Sequence, residues 1–149
     1  MTAILGWMLE DHDLPSFLRD GPHQVTVHSE EQLAGELTRL GLADPRVIYL
    51  YREDGLRLGL GIGGGWMFLR LYLPKEGRLP FIYLPQGALA QSPVSFSYEG
   101  QPHVVSPKYL VHTSEALDVI QQLYRTGDVP RQFVSEYEER MKDSEGPTG

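Results

Sequence analysis

The chain contains no cysteine. That excludes a disulfide framework, a thiolate zinc site and a cysteine nucleophile, and it suits a reducing compartment. It also lacks an apolar run long enough to cross a bilayer. Residues 1–9 (MTAILGWML) are apolar, but no basic segment precedes them, and Glu10, Asp11 and Asp13 follow at once. They therefore read as the first buried strand of a sheet and not as a leader or a membrane span. The expected location is the cytoplasm, with no membrane partner. Lys and Arg are nowhere dense enough to neutralise a phosphate backbone, so nucleic acid is not expected as a direct ligand.

What is present is a folding composition. Of 149 residues 41% are hydrophobic and 22% charged, with a formal net charge of −7. This length is that of one domain, expected over residues 1–141, with residues 142–149 as a flexible tail. Sixteen glycines and eleven prolines call for many turns and hence many short strands.

The polar stretch 10–22 reads as a loop closed by Gly21-Pro22, and 23–28 as a short strand. Ser29 and Gln32 form a capping-box pattern ahead of Leu33, Leu37 and Leu40, so a helix is predicted over about 30–40, with Gly41 after its last turn. Residues 46–53 and 56–62 flank the hairpin dipeptide Asp54-Gly55. In the second of these, Leu56, Leu58, Leu60 and Ile62 alternate with Arg57, Gly59 and Gly61. The glycine face implies that something packs there closely, and the second helix is the expected neighbour. Residues 66–73 are apolar on both faces and are placed at the sheet centre. Shorter strands follow at 80–84, 94–98 and 102–105.

A second helix begins near Thr113 or Ser114 and stops at Gly127. Residues 133–137 suit an edge strand or a short helix. The fold expected is α+β: a single antiparallel sheet of about six to eight short strands with two main helices packed on one face.

No chemistry-bearing motif stands up. Gly59-Leu60-Gly61-Ile62-Gly63-Gly64 fits the letters of a dinucleotide motif, but a strand pattern follows it where a helix is required. The histidines lack metal spacing, and no serine sits in a glycine-flanked elbow. No catalytic residue, metal or cofactor is expected, and a binding role is favoured over an enzymatic one. Net charge is −6 over residues 1–45, +3 over 46–110 and −4 over 111–149. Acidic ends of this kind attract a basic partner.

Glu115-Ala116-Leu117 and then Leu123-Tyr124-Arg125-Thr126-Gly127-Asp128-Val129-Pro130 resemble the C-terminal signature of the deaminase-associated immunity proteins of bacterial polymorphic toxin systems, the first-numbered immunity family. The run from Leu58 to Gly63 is similar to that family's small-residue central strand, and Val25 to Leu33 to its N-terminal strand and helix start. After the proline the family carries Val, one residue and Trp, where this chain has Val134-Ser135-Glu136-Tyr137.

The resemblance implies an antitoxin, monomeric or weakly dimeric when free. It would bind a cognate toxin domain, a nucleic-acid deaminase or nuclease, and occlude its active site. The alternative is an acidic secretion chaperone for an effector protein. The residues expected to meet the partner are Glu10, Asp11 and Asp13 in the acidic loop, then Tyr51, Trp66 and Gln86 at strand edges and turns.

Overall fold

Leu58, Leu60 and Ile62 alternate with Arg57, Gly59 and Gly61, which gives one strand an apolar face and a face of small and charged residues. The rest of the chain is arranged around that difference. The computed structural model describes residues 6–11, 23–42, 44–73 and 80–145.

Within these the order is β1 (Trp7–Asp11), β2 (His23–Val27), α1 (Glu30–Gly41), β3 (Arg46–Arg52), β4 (Arg57–Ile62), β5 (Trp66–Tyr72), β6 (Phe81–Tyr83), β7 (Val94–Tyr98), β8 (Gln101–Val105), β9 (Val111–His112), α2 (Thr113–Thr126), β10 (Phe133–Ser135) and α3 (Glu136–Glu145). Seven strands run side by side as β10-β6-β5-β4-β3-β1-β2, every neighbouring pair antiparallel. The β7–β8 hairpin attaches through a single parallel bridge between Arg46 and Ser97. β9 pairs with the start of β5.

The architecture is therefore α+β on one antiparallel sheet, with more and shorter strands than the sequence pattern separates and a third helix. Residues 133–137 are both of the things their pattern allows, strand β10 running directly into α3, which continues to Glu145. β4 holds the middle of the sheet, and the doubly apolar β5 lies one place from it.

Helices α1 and α2 cover one face. Leu33, Leu37 and Leu40 from α1, and Ala116, Ile120 and Leu123 from α2, are buried against Ile48, Leu50, Leu58, Leu60, Met67 and Leu69. Each of the leucines, isoleucines and Met67 among them contributes about 1.5–3 kcal/mol on leaving water. This layer is the main core.

Local signals fix its ends. Ser29 Oγ accepts from the Gln32 N–H at 3.0 Å. The reciprocal arm is displaced by one residue, because the Gln32 side chain accepts from the His28 N–H instead of that of Ser29. Gly41 lies inside α1, and Leu42 caps it with its N–H donated to Arg39 O and Leu40 O. The cap of α2 is His112, whose Nδ1 accepts from the Ser114 N–H, so the helix starts one residue earlier than its Thr-Ser pair suggests.

The stop of α2 is fixed by contacts to the β3–β4 turn. Gly127 takes the left-handed conformation, φ 75°, and donates to Leu123 O at 2.8 Å. Its carbonyl accepts from Arg52 Nη1 at 2.9 Å. Arg52 also grips both carboxylate oxygens of Asp54 and stacks over Trp7, whose ring meets Tyr124. Gly127 and Tyr124 thus fasten the end of α2 to Arg52, Asp54 and Trp7.

Candidate partner-binding face

The other face of the sheet is built from cross-strand rows. One row runs Thr26, Met8, Tyr51, Arg57, Tyr72 across β2, β1, β3, β4 and β5. The next runs Gln24, Glu10, Tyr49, Gly59, Arg70, Ile82, Val134 and reaches β10. A third holds Val47, Gly61 and Phe68. Period-two alternation puts them all opposite the helices.

The third row is covered. Phe96 of β7, fully buried, packs against Gly61, where a β-carbon would stand 3.0 Å from its ring. With Val105 and Leu110 it forms a second apolar cluster against Val47, Trp66 and Phe68. On the glycine face of β4, Gly61 is therefore packed by the β7–β8 hairpin and Gly59 by the Tyr49 ring, and the expectation that α2 would pack there is wrong. The hairpin crosses behind the sheet, a placement set by contacts far apart in sequence.

In the first two rows Tyr49, Tyr51, Arg57, Arg70 and Tyr72 stay half-exposed. Arg57 is stacked between two rings, its guanidinium carbon 4.1 Å from the Tyr72 centroid and 5.1 Å from that of Tyr49. Such stacking fixes an arginine that would otherwise be loose. Tyr49 meets Tyr98 edge-on at 5.8 Å, and Tyr98 meets His103 in the same way. Burial, with the neighbouring Tyr49 and Glu99, pushes the Tyr98 phenol up to about 12. Burial and the nearby Glu10 also raise Tyr51, against the lowering effect of Arg57. These phenols are neutral hydrogen-bonding groups at physiological pH.

Between the hairpin and the sheet the face deepens into a cleft of about 400 Å³, lined by Tyr49, Gly59, Arg70, Tyr72, Phe96, Tyr98 and neighbours. A shallower groove along Met8, Glu10, Tyr51 and Glu53 adjoins it. At one end of the cleft Arg70 Nη2 donates to Glu136 Oε1 at 2.9 Å. Glu136 is buried.

The residues expected from the sequence to meet a partner are distributed unevenly. Glu10 and Tyr51 fall together on this face, one on each of two neighbouring strands. Asp11 does not. It continues the core-facing alternation of Trp7 and Leu9, is 3% exposed, and pairs with Arg46 at 2.9 Å on the helix side. Glu10 and Asp11 belong to strand β1, not to an acidic loop, because backbone pairing with β2 and β3 extends through both. Asp13 lies outside the described residues.

Trp66 is half-buried against the second cluster and sits edge-on to His112. Gln86 is exposed beyond β6, toward the opposite end of the strand order from β1 and β2. Its N–H, with that of Gly87, is held by the Glu115 carboxylate. Neither joins the Tyr–Arg rows.

Met8, Tyr49, Arg57 and Tyr72 were not singled out from the sequence. Hairpin arithmetic could have found part of the set. The Asp54-Gly55 turn places Tyr51 opposite Arg57, and the turn at 63–65 places Arg57 opposite Tyr72.

Among the described residues no group of three or more His, Asp or Glu is placed to hold a metal ion, and no helix is long and apolar enough to cross a membrane. In comparisons with known proteins, no family model and no curated protein matches the chain.

Proposed function

We propose that this protein is an immunity protein that binds a cognate toxin domain, a nucleic-acid deaminase or nuclease, through the open part of the sheet face and so occludes the toxin's active site. The observation that carries the reading is the row Met8, Tyr51, Arg57, Tyr72 with Tyr49 and Glu10 beside it. Tyrosine and arginine are the residues that dominate interface energetics. Here they are already held in place by the strands and by one another, so docking costs little side-chain entropy. Glu10 gives the row an acidic end, and the acidic N- and C-terminal thirds of the chain add a long-range field that speeds encounter with a basic surface. The resemblance of residues 115–130 to the immunity family supplies the kind of partner.

The test is binding of the purified toxin domain encoded beside this chain's gene, by calorimetry, together with protection of cells that express it. Tyr51→Ala, Arg57→Ala and Tyr72→Ala, each confirmed folded by circular dichroism, should weaken binding by about thirtyfold or more, as loss of a hot-spot residue does. Absence of a complex with the folded domain overturns the reading. So does binding directed to an unfolded N-terminal segment of an effector, which is what a chaperone would show.

A further inference from the structure

The cleft beneath the β7–β8 hairpin is built for more than surface contact. Its volume of about 400 Å³ falls in the range of small-molecule sites, roughly 300–1,000 Å³. Its floor at Gly59 carries no side chain, and its walls are rings, chiefly Tyr49, Phe68, Tyr72, Phe96 and Tyr98. Stacked or edge-on contact with such walls favours a flat, aromatic occupant.

The polar groups give the occupant a charge. Two ion pairs flank the cleft, and in both the base is the more exposed member. Arg70 is 28% exposed against 10% for Glu136, and Lys108 is 40% exposed against 13% for Glu139. Lys108 Nζ also lies 5.0 Å over the ring of Tyr109, itself a lining residue. Arg57 stacks on two of the lining rings, and its guanidinium forms no ion pair with an acid among the described residues. Glu10 borders Tyr49 but does not line the cleft. Glu136 lines the cleft together with Arg70 but is the less exposed of the two, and Glu139 is the less exposed member of its pair with Lys108, on a chain of formal charge −7. The Tyr98 phenol, whose pKa burial raises, is neutral at physiological pH and can donate to an anion.

We propose that this cleft binds a small aromatic anion, a planar ring bearing a carboxylate, with the ring between the tyrosine and phenylalanine walls and the carboxylate toward Arg70. Arg70 Nη2 is given to Glu136, while Arg70 Nε is buried with no hydrogen-bond partner among the described residues, so a carboxylate can take it, and charge-assisted contacts of this kind are directional. The site needs no toxin, and its test is separate from that of the partner-binding reading.

The experiment titrates the free, full-length protein with benzoate, benzyl alcohol and benzamidinium, following backbone amide shifts by NMR. Shifts at Gly59, Tyr98 and Val105 should saturate with benzoate at a Kd of about 1–10 mM, the range for a ligand of this size. Benzoate should bind about fivefold or more tighter than benzyl alcohol, and benzamidinium should be weaker still.

The double variant Arg70→Met/Glu136→Met replaces the pair by apolar groups of similar length, a change that buried pairs tolerate. Its preference for benzoate over the alcohol should fall to within about twofold. Arg57→Gln, which leaves the pair intact, should weaken benzoate and leave the alcohol unchanged, and it serves where the double variant does not fold. Absence of shifts up to about 20 mM benzoate, equal affinity for the alcohol, tighter binding of benzamidinium, or a preference unchanged in the variants would overturn the proposal.

Discussion

The contact between Gly61 and Phe96 decides where the hairpin sits, and it can be tested by a double-mutant cycle. A β-carbon on Gly61 would stand 3.0–3.1 Å from three atoms of the Phe96 ring, closer than packed atoms come. The ring is fully buried, held by Val105 and Leu110, and has little room to retreat. Gly61→Ala should gain about 0.5–1 kcal/mol from reduced chain entropy in a strand and lose about 1–3 kcal/mol to overpacking. The net expectation is a loss of about 1 kcal/mol. Phe96→Leu removes the clashing ring edge but opens space, at a cost of about 1–2 kcal/mol.

In the double variant the added methyl occupies part of that space. Its cost should fall short of the sum of the two by about 1 kcal/mol or more. Urea unfolding followed by tryptophan fluorescence measures all four corners. Trp7 sits in the main core and Trp66 against the second cluster, so the signal reports both faces. Gly35, exposed on α1 with nothing within 4 Å of its β-position, is the control, and Gly35→Ala should stabilise by about 0.5–1 kcal/mol. Additivity within about 0.5 kcal/mol, or a Gly61→Ala protein as stable as the Gly35→Ala control, would refute the packing argument.

Two further outcomes follow from named pairs. Asp11→Ala leaves Arg46, whose side chain is 13% exposed, without its carboxylate, and should cost about 2–4 kcal/mol in urea unfolding, near the lower end of broken buried pairs; an unchanged midpoint would show that the pair is not structural. Tyr83 donates to Glu115 at 2.7 Å, and burial first, then that carboxylate, raises its phenol above 10, as burial raises Tyr98 to about 12. Both phenols hold their protons longer in the folded state than in the unfolded one. Stability should therefore be intact below pH 10 and decline as pH rises from 10 toward 12 and beyond, less steeply in Glu115→Gln; a urea midpoint flat over pH 10–12 would contradict the assignment.

The parts of the fold that could be read in the sequence are those fixed within a few residues. Ser29 with Gln32, the leucines at 33, 37 and 40, the Asp54-Gly55 hairpin and the Gly127 stop each carry their own geometry. Asp11 misled because a run of Glu, Asp, His and Asp looks solvated. Its position two residues after Leu9 puts it on the core side, and the Arg46 that neutralises it is 35 residues away, beyond any local pattern. The same limit hid the hairpin over Gly61. The glycine face announced close packing, but which element supplies it depends on a bridge from Arg46 to Ser97.

Charge shows the difference most clearly. Summed along the chain, residues 46–110 are only mildly basic. In the fold, Asp11 is buried on the helix side and Glu136 and Glu139 are the less exposed members of their pairs, while Arg57, Arg70 and Lys108 are half-exposed or exposed among tyrosines. A ligand entering the cleft therefore meets aromatic rings and positive charge first, while a basic partner docking along the open rows meets Glu10 at their edge and the net −7 from a distance.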